Sequence, residues 1–497
     1  MHRIVVIAVA VALAGVACTS DEPTEASALA GDQTTTTAPP ATTTSTTSPA
    51  TTTIPELPTA SQESIGDPTY PGLGNAGYDV QHYDIDLVWR PESGEIGVVT
   101  AVEAIATDDL AEYNLDFHGF DIERLAVDGV ETTFERSQDE LVIRPDSSIA
   151  MGTTFTTEVT YRGVPERYDS IALPDMGWFS GPDGEQFVVA EPDAAHSWFP
   201  SNDHPLDKAT FTISITAPPA WTGAANGELV EEVDDIGSVT RTFSMSDPMT
   251  TYLATVVIGE GWQIVEDEAA STEEIAVRHV LPPDLQDANT PAALLRTGEM
   301  IAVFEERFGV YPFDEYGIAV VGGFAGALEN QTLSVFGREF VEAPIFEYVL
   351  VHELAHQWFG NSVTVALWED VWLHEGFATY AELIWAEHLH GVDVYREFVA
   401  ERYAAVELAE YPPPGDPPSD ALFNGGVYQR GALTLHALRQ EVGDAAFFAI
   451  LRTFATRFAY GNATTAQFIS VAEELSGLEL DGLFDAWLYE PELPPLP

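Results

Sequence analysis

Between Val351 and Glu382 the chain reads VHELAHQWFGNSVTVALWEDVWLHEGFATYAE, and this segment constrains the fold more than any other. His352 and His356 are four residues apart, about 6 Å along one face of a helix, so both imidazoles reach one ion. Glu353, one residue on from His352, is rotated by about 100° around that helix, which directs its carboxylate to the open side of the ion. Glu375 lies among Leu373, Phe377, Tyr380, Leu383 and Ile384, apolar residues at helical spacing, and returns to the same point as a third, anionic ligand. Two His and one Glu leave a fourth position for water. This predicts one Zn2+ per chain, with Glu353 as the base that assists attack of the water on the metal. The alternative, a solvated helical face, conflicts with Val351, Leu354, Ala355 and Trp358, which make the same helix apolar and uncompensated polar groups costly.

Outside this segment the sequence divides by texture. Residues 1–18, MHRIVVIAVAVALAGVAC, carry Arg3, an apolar run and small residues before Cys18, the only cysteine in 497 residues. They read as a signal peptide of the bacterial lipoprotein type with Cys18 as the anchor, although Gly15 stands where Leu is usual three residues before the cysteine. The expected location is the outer face of a cell membrane, with a secreted protein as the alternative. A lone cysteine permits no intramolecular disulfide, so stability rests on packing and the metal. Residues 19–66 are mostly Thr, Ser, Pro and Ala, a composition that buries little and predicts an extended, disordered stalk.

The 80 acidic residues against 19 basic ones give a formal charge of −61, which excludes nucleic acid as a natural partner because its phosphates would be repelled. A solvated acidic surface accounts for this charge, and steering of cationic peptides is the functional alternative.

From residue 67 to 262 short alternating runs such as YDIDLVW, ELVIRP and ATFTISITAP are separated by turn residues, which predicts a β-rich domain. From 263 to 497 the apolar period lengthens. Helices are predicted in AALLRTGEMIAVFEERFG, the metal segment, the Glu375 segment, GALTLHALRQEVG and QFISVAEELSG, with short strands at Tyr316–Val321 and Leu333–Val335. His196, His204 and His436 lack paired ligand spacing, and His436 among Leu433, Leu435 and Leu438 reads as a core histidine. Trp358, Trp368, Trp372 and Trp385 read as packing around the metal helix.

With Glu375 included, HExxH followed after eighteen residues by Glu resembles the aminopeptidase N and leukotriene hydrolase family of gluzincins. The stretch GGFAGALENQTL is similar to the GAMEN-type motif of that family, an edge strand along which substrate lies, with Leu328 in place of Met. The resemblance implies that Glu329 binds the α-amine of the substrate, that Gly326, Ala327 and Asn330 also contact it, and that Glu191 is a second amine-binding acid. VYQRGALTLHALRQEVG resembles the Tyr-x-Lys-Gly helix, with Tyr428 at the catalytic tyrosine and Arg430 replacing Lys. On its residues alone Tyr428 reads as a packing tyrosine at a helix start, and the resemblance reverses that. LGNAGYDVQHYDIDL, NLDFHGFDI and SWFPSNDHPLDKATF extend the likeness to about residues 67–490.

Two departures, Val189 for the usual Gln and Ala325 for a Met found in some members, bear on which first side chain is accepted. The resemblance implies a multidomain α+β fold: a β-sandwich-like domain, then a thermolysin-like α-rich catalytic domain, without the C-terminal helical domain of many members and with a more open cleft. It implies a zinc aminopeptidase acting on peptides with a free amino terminus. An endopeptidase and a non-catalytic surface binding module are the competing expectations. Glu382, seven residues beyond Glu375, shares its helical face and is expected either to orient a ligand or to lie at the surface.

Overall fold

The computed structural model describes residues 64–497. The expected signal peptide at 1–18 and nearly all of the expected stalk at 19–66 lie outside the described residues.

The alternating runs of the first half become strands because every second side chain is apolar and buried, as in Tyr78–Arg90, where Tyr83, Ile85, Leu87 and Trp89 face inward. An eight-stranded sheet runs in the order Glu228–Asp235, Ser238–Met249, Ala209–Ala217, Tyr78–Arg90, Glu95–Ala106, Thr154–Gly163, Asp121–Val127 and Val130–Glu131. Its pairings are antiparallel except for Tyr78–Arg90 with Ala209–Ala217, where His82 lies opposite Thr210. A five-stranded sheet, built from Trp221–Ala225, Val256–Glu260, Gln186–Val189, Met176–Ser180 and Arg167–Tyr168, packs against it. The approach is close enough to require glycine at 223, where a Cβ would lie 2.5 Å from Ile215 Cγ2.

In the second half, Ala276–Leu281, Ile318–Val321 and Ser334–Gly337 are parallel, flanked by antiparallel Gln263–Glu266 on one side and Ala327–Leu328 on the other. The GALEN segment is therefore an edge strand. The five predicted helices are present at Thr297–Phe308, Phe346–His356, Trp372–His390, Gly431–Val442 and Thr465–Ser476. Two more, Val392–Ala409 and Asp444–Arg457, were not expected from the periodicity. All four tryptophans around the metal helix are buried, and His436 Nδ1 is satisfied by the Tyr395 hydroxyl at 2.6 Å.

The two halves are joined by polar contacts out of water. Lys208 Nζ donates to the carbonyls of Asn361 and Ser362 at 2.8 and 3.0 Å, and Asn226 Nδ2 donates to the Gln331 carbonyl at 2.7 Å. Asp67 Oδ2 accepts from Trp368 N at 2.9 Å and pairs with His204 Nε2 at 3.1 Å.

His196 is likewise structural, held at 2.7 Å from Asp203 Oδ2 in the β-rich half. Burial pushes its pKa down, but the Asp203 hydrogen bond and the charges of Asp203, Asp116 and Asp193 outweigh this and raise it to about 9. The folded state thus holds this proton more tightly than the unfolded chain, whose histidine titrates near 6.5. The contribution is complete below pH 6.5 and lost as pH rises through about 9. Two to three units correspond to roughly 3 kcal/mol. The melting temperature should fall between pH 6.5 and 9, and His196→Gln should flatten that fall. An unchanged slope in the variant would exclude His196 as its source.

Candidate metal centre and substrate cleft

The metal helix Phe346–His356 is apolar on nearly every side, with Phe346, Val349, Leu350, Val351, Leu354 and Ala355 all buried. Its two histidines are therefore dry and fixed. His352 Nδ1 pairs with Glu382 Oε1 at 3.0 Å, and His356 Nδ1 donates to the Phe359 carbonyl at 3.1 Å. The second contact depends on Gly360, whose φ of +136° turns the chain back; a Cβ there would stand 3.1 Å from His356 Nδ1. With both Nδ1 atoms committed, both Nε2 atoms face Glu375 Oε2, at 3.1 Å from His352 and 3.5 Å from His356. Glu375 is in the first turn of Trp372–His390, where the helix dipole favours an anion.

Three ligand atoms thus lie within 4.8 Å of one another in a buried space. Burial pushes the Glu375 carboxyl up, but the charge of His356 and the His352 hydrogen bond hold it well below the usual carboxylate range. An ionised carboxylate and two oriented imidazole nitrogens fit Zn2+ with one position open. Glu382 takes the orienting role expected of it. Burial opposes its ionisation, yet the Arg402 guanidinium and His352 keep its carboxyl below the ordinary range.

A cavity opens on this centre, lined by Glu191, Ala327, Leu328, Glu329, His352, Glu353, His356, Glu375 and Tyr428, with Leu173, Met176, Phe324 and Phe423 supplying apolar walls. Its empty volume is about 440 Å³. Glu353 makes no ligand contact with Glu375 but falls within 4.8 Å of Glu329 and His356. Burial raises its carboxyl to about 8, with Glu329 adding to the rise and His352 opposing it.

Glu329 is positioned by the end of the metal helix: Asn361 Nδ2 and Gln357 Nε2 donate to its carbonyl at 2.7 and 3.1 Å. Glu191 ends the chain segment that follows strand Gln186–Val189. Both glutamates are buried, and each keeps one carboxylate oxygen, Oε1, without a hydrogen-bond partner. Their carboxyls are raised, by burial first; for Glu191 the neighbouring charge of Glu329 comes next, and for Glu329 His356 opposes the rise.

Ala327 lines the cavity. Gly326 does not; its carbonyl accepts from Gly337 N at 2.8 Å within the sheet. Asn330 also turns away, its Nδ2 donating to the Leu253 carbonyl at 3.1 Å. Tyr428 sits in a π-helical turn, Gly426–Arg430, ahead of the predicted helix, with its ring 6.1 Å from that of His352 and inclined by 18°.

Sequence reasoning missed Gln357 and Asn361, whose signal was their polarity inside an otherwise apolar metal segment. It also missed Leu173, Met176 and Phe423, loop residues with no periodic signature.

This layout defines a class, the mononuclear zinc hydrolase with a two-His, one-Glu site. The Peptidase M1 N-terminal domain model matches residues 80–253 and the Peptidase family M1 domain model residues 292–487. The M1 zinc metallopeptidase of Deinococcus radiodurans superposes with a TM-score of 0.79 at 31% identity, covering 88% of this chain and 99% of that one. A mutant of it, bound to a Tyr-Ser-Ala substrate, gives 0.80 at 30% identity, with 88% and 99% covered. Aminopeptidase N of Streptomyces lividans is 26% identical over 436 residues, 82% of this chain and 50% of the relative. Aminopeptidase M1-A of Oryza sativa subsp. japonica is 31% identical over 319 residues, 60% and 36% respectively. The chain belongs to the M1 zinc metallopeptidases, the gluzincin family of aminopeptidase N. It spans half or less of the length of these two curated relatives.

Proposed function

We propose that this protein is a zinc-dependent aminopeptidase that removes the first residue from peptides. The observation that carries this reading is the pair of buried, unpartnered oxygens of Glu191 and Glu329 facing the cavity that holds Glu353 and the metal ligands. Two such carboxylates reward a charged ammonium and leave nothing to compensate them when the amine is blocked. The names of the relatives agree with this.

His352, His356 and Glu375 would hold the zinc, which supplies Lewis acidity, lowering the pKa of a coordinated water and polarising a carbonyl. Glu353, with a carboxyl near neutrality, accepts a proton from the attacking water and returns it to the leaving amine. Tyr428 donates its hydroxyl to the oxygen on which charge develops. Glu329 and Glu191 bind the ammonium, and the edge strand at Ala327–Leu328 offers backbone beside it.

The test is hydrolysis of a panel of aminoacyl fluorogenic amides, each with its amine free and acetylated. Free-amine substrates should be cleaved and acetylated ones rejected by at least about 10²-fold, as for other sites whose buried polar groups would be left unpaired. Glu329→Gln should narrow that ratio mainly through KM. Cleavage of acetylated forms would instead identify an endopeptidase, and silence across the panel with zinc bound would identify a binding module.

The location belongs to the same proposal: export and lipid anchoring at Cys18, supported by the pattern of residues 1–18. Cys18→Ser should release the protein from membranes, and unaltered membrane retention would refute the anchor.

A further inference from the structure

We propose that Arg402 is a positioning residue that couples the metal ligand His352 to the turn carrying Tyr428. This rests on the reading of His352 as a ligand and Tyr428 as a hydroxyl donor. Arg402 is buried on Val392–Ala409, the helix that closes the far side of the Glu375 helix. Its Nη2 donates to Glu382 Oε2, while Nη1 donates to Gln429 Oε1 at 2.6 Å. Glu382 in turn holds His352 Nδ1 through its other oxygen at 3.0 Å, and Gln429 directly follows Tyr428 in the π-helical turn. The ring of contacts closes where the Tyr428 ring lies against that of His352. One rigid guanidinium plane therefore spans the support of a metal ligand and the support of the tyrosine.

The turn needs such a support. A π-helical turn is a rare backbone form found mostly as a single-turn insert at functional sites, and here it must place one hydroxyl to within a few tenths of an ångström. Its other flank is fixed by Arg430, which donates to the carbonyls of Trp487 at 2.8 Å, Ala486 at 3.0 Å and Glu490 at 2.5 Å. Neutralising Glu382 alone would require only a cation. The second arm of Arg402, onto Gln429, is what makes the residue a coupler, because the planar fork fixes the angle between its two acceptors in a way an ammonium does not.

Two variants separate the arms. Gln429→Met preserves volume and removes only the Tyr428 arm; kcat should fall about tenfold, with KM within about twofold and zinc affinity unchanged. Arg402→Lys should lower kcat by about 10–100-fold and also weaken zinc binding by about tenfold, since Glu382 loses its anchor. In the Tyr428→Phe background both substitutions should cost less than about threefold in kcat, because the hydroxyl they position is gone. A purely structural arginine would lower the melting temperature and give fold losses that multiply across the two backgrounds. Wild-type kcat in Gln429→Met, or multiplicative losses, would overturn the coupling while leaving the Tyr428 role intact. If Tyr428→Phe alone keeps full turnover, that role fails and the coupling falls with it. Should Arg402→Lys not fold, Gln429→Met carries the test.

Discussion

Glu353→Gln should lower kcat by about 10²–10⁴-fold while the protein still binds one zinc per chain. The amide matches the carboxylate in shape, so the packing of the metal helix around Val351, Leu354 and Ala355 is undisturbed. It cannot accept a proton, however, and the attacking water then has no base. The metal should stay because His352, His356 and Glu375 form their own ligand set and Glu353 lies outside it. Metal content by mass spectrometry, measured beside kcat, separates this outcome from demetallation. A variant with full zinc and turnover within about tenfold of the parent would show that another group takes the proton. The carboxyl environments favour Glu353 for that task. Burial raises it to about 8, whereas Glu375, in the same cavity, is held ionised by the two imidazoles. Two glutamates a few ångströms apart are thereby separated into a proton carrier and a ligand by their neighbours alone.

The centre was legible in the sequence because a metal site on a helix is a problem of spacing. His352 and His356 must be four apart to face one ion, and Glu375 must sit on a second apolar helix to return to it. The GALEN edge strand was legible for a different reason, through its family resemblance, since GGFAGALENQTL has no clear alternation. The strands of the first half followed from period-two burial. The helix Val392–Ala409 escaped because its buried stripe, Tyr395, Val399, Arg402 and Val406, has a charged residue at one of its four positions, which breaks the apolar period on which such a reading depends. That charge is buried because Glu382 and Gln429 satisfy it, and both are brought to it by tertiary structure. The π-helical turn at Gly426–Arg430 was equally hidden, as no propensity distinguishes it from the first turn of the α-helix that follows. Arg430 in place of Lys looked conservative in the sequence. In the structure its guanidinium collects several carbonyls at once, a task that suits a planar fork.

Tyr428→Phe tests the part of the site that the sequence alone assigned to packing. Burial comes first, then the charges of Glu375, Glu191, Glu329 and Glu353, in holding the phenol well above its ordinary pKa, so it stays protonated and serves as a donor at every working pH. A donor aimed at developing charge in a dry cavity is worth roughly 3–4 kcal/mol, and its loss should lower kcat by about 10²–10³-fold. KM should change little, because the carbonyl oxygen needs this donor most when it carries negative charge, and the ammonium contacts of Glu191 and Glu329 remain. Zinc content should also stay at one per chain, since Tyr428 contacts His352 only through its ring and lies outside the ligand set. The phenyl ring keeps that stacking contact, so a fall in melting temperature of the size seen for core substitutions is not expected. If kcat held while KM rose, Tyr428 would be a substrate contact shared by ground and transition states. If both held, the residue would be the packing tyrosine that its sequence position suggests.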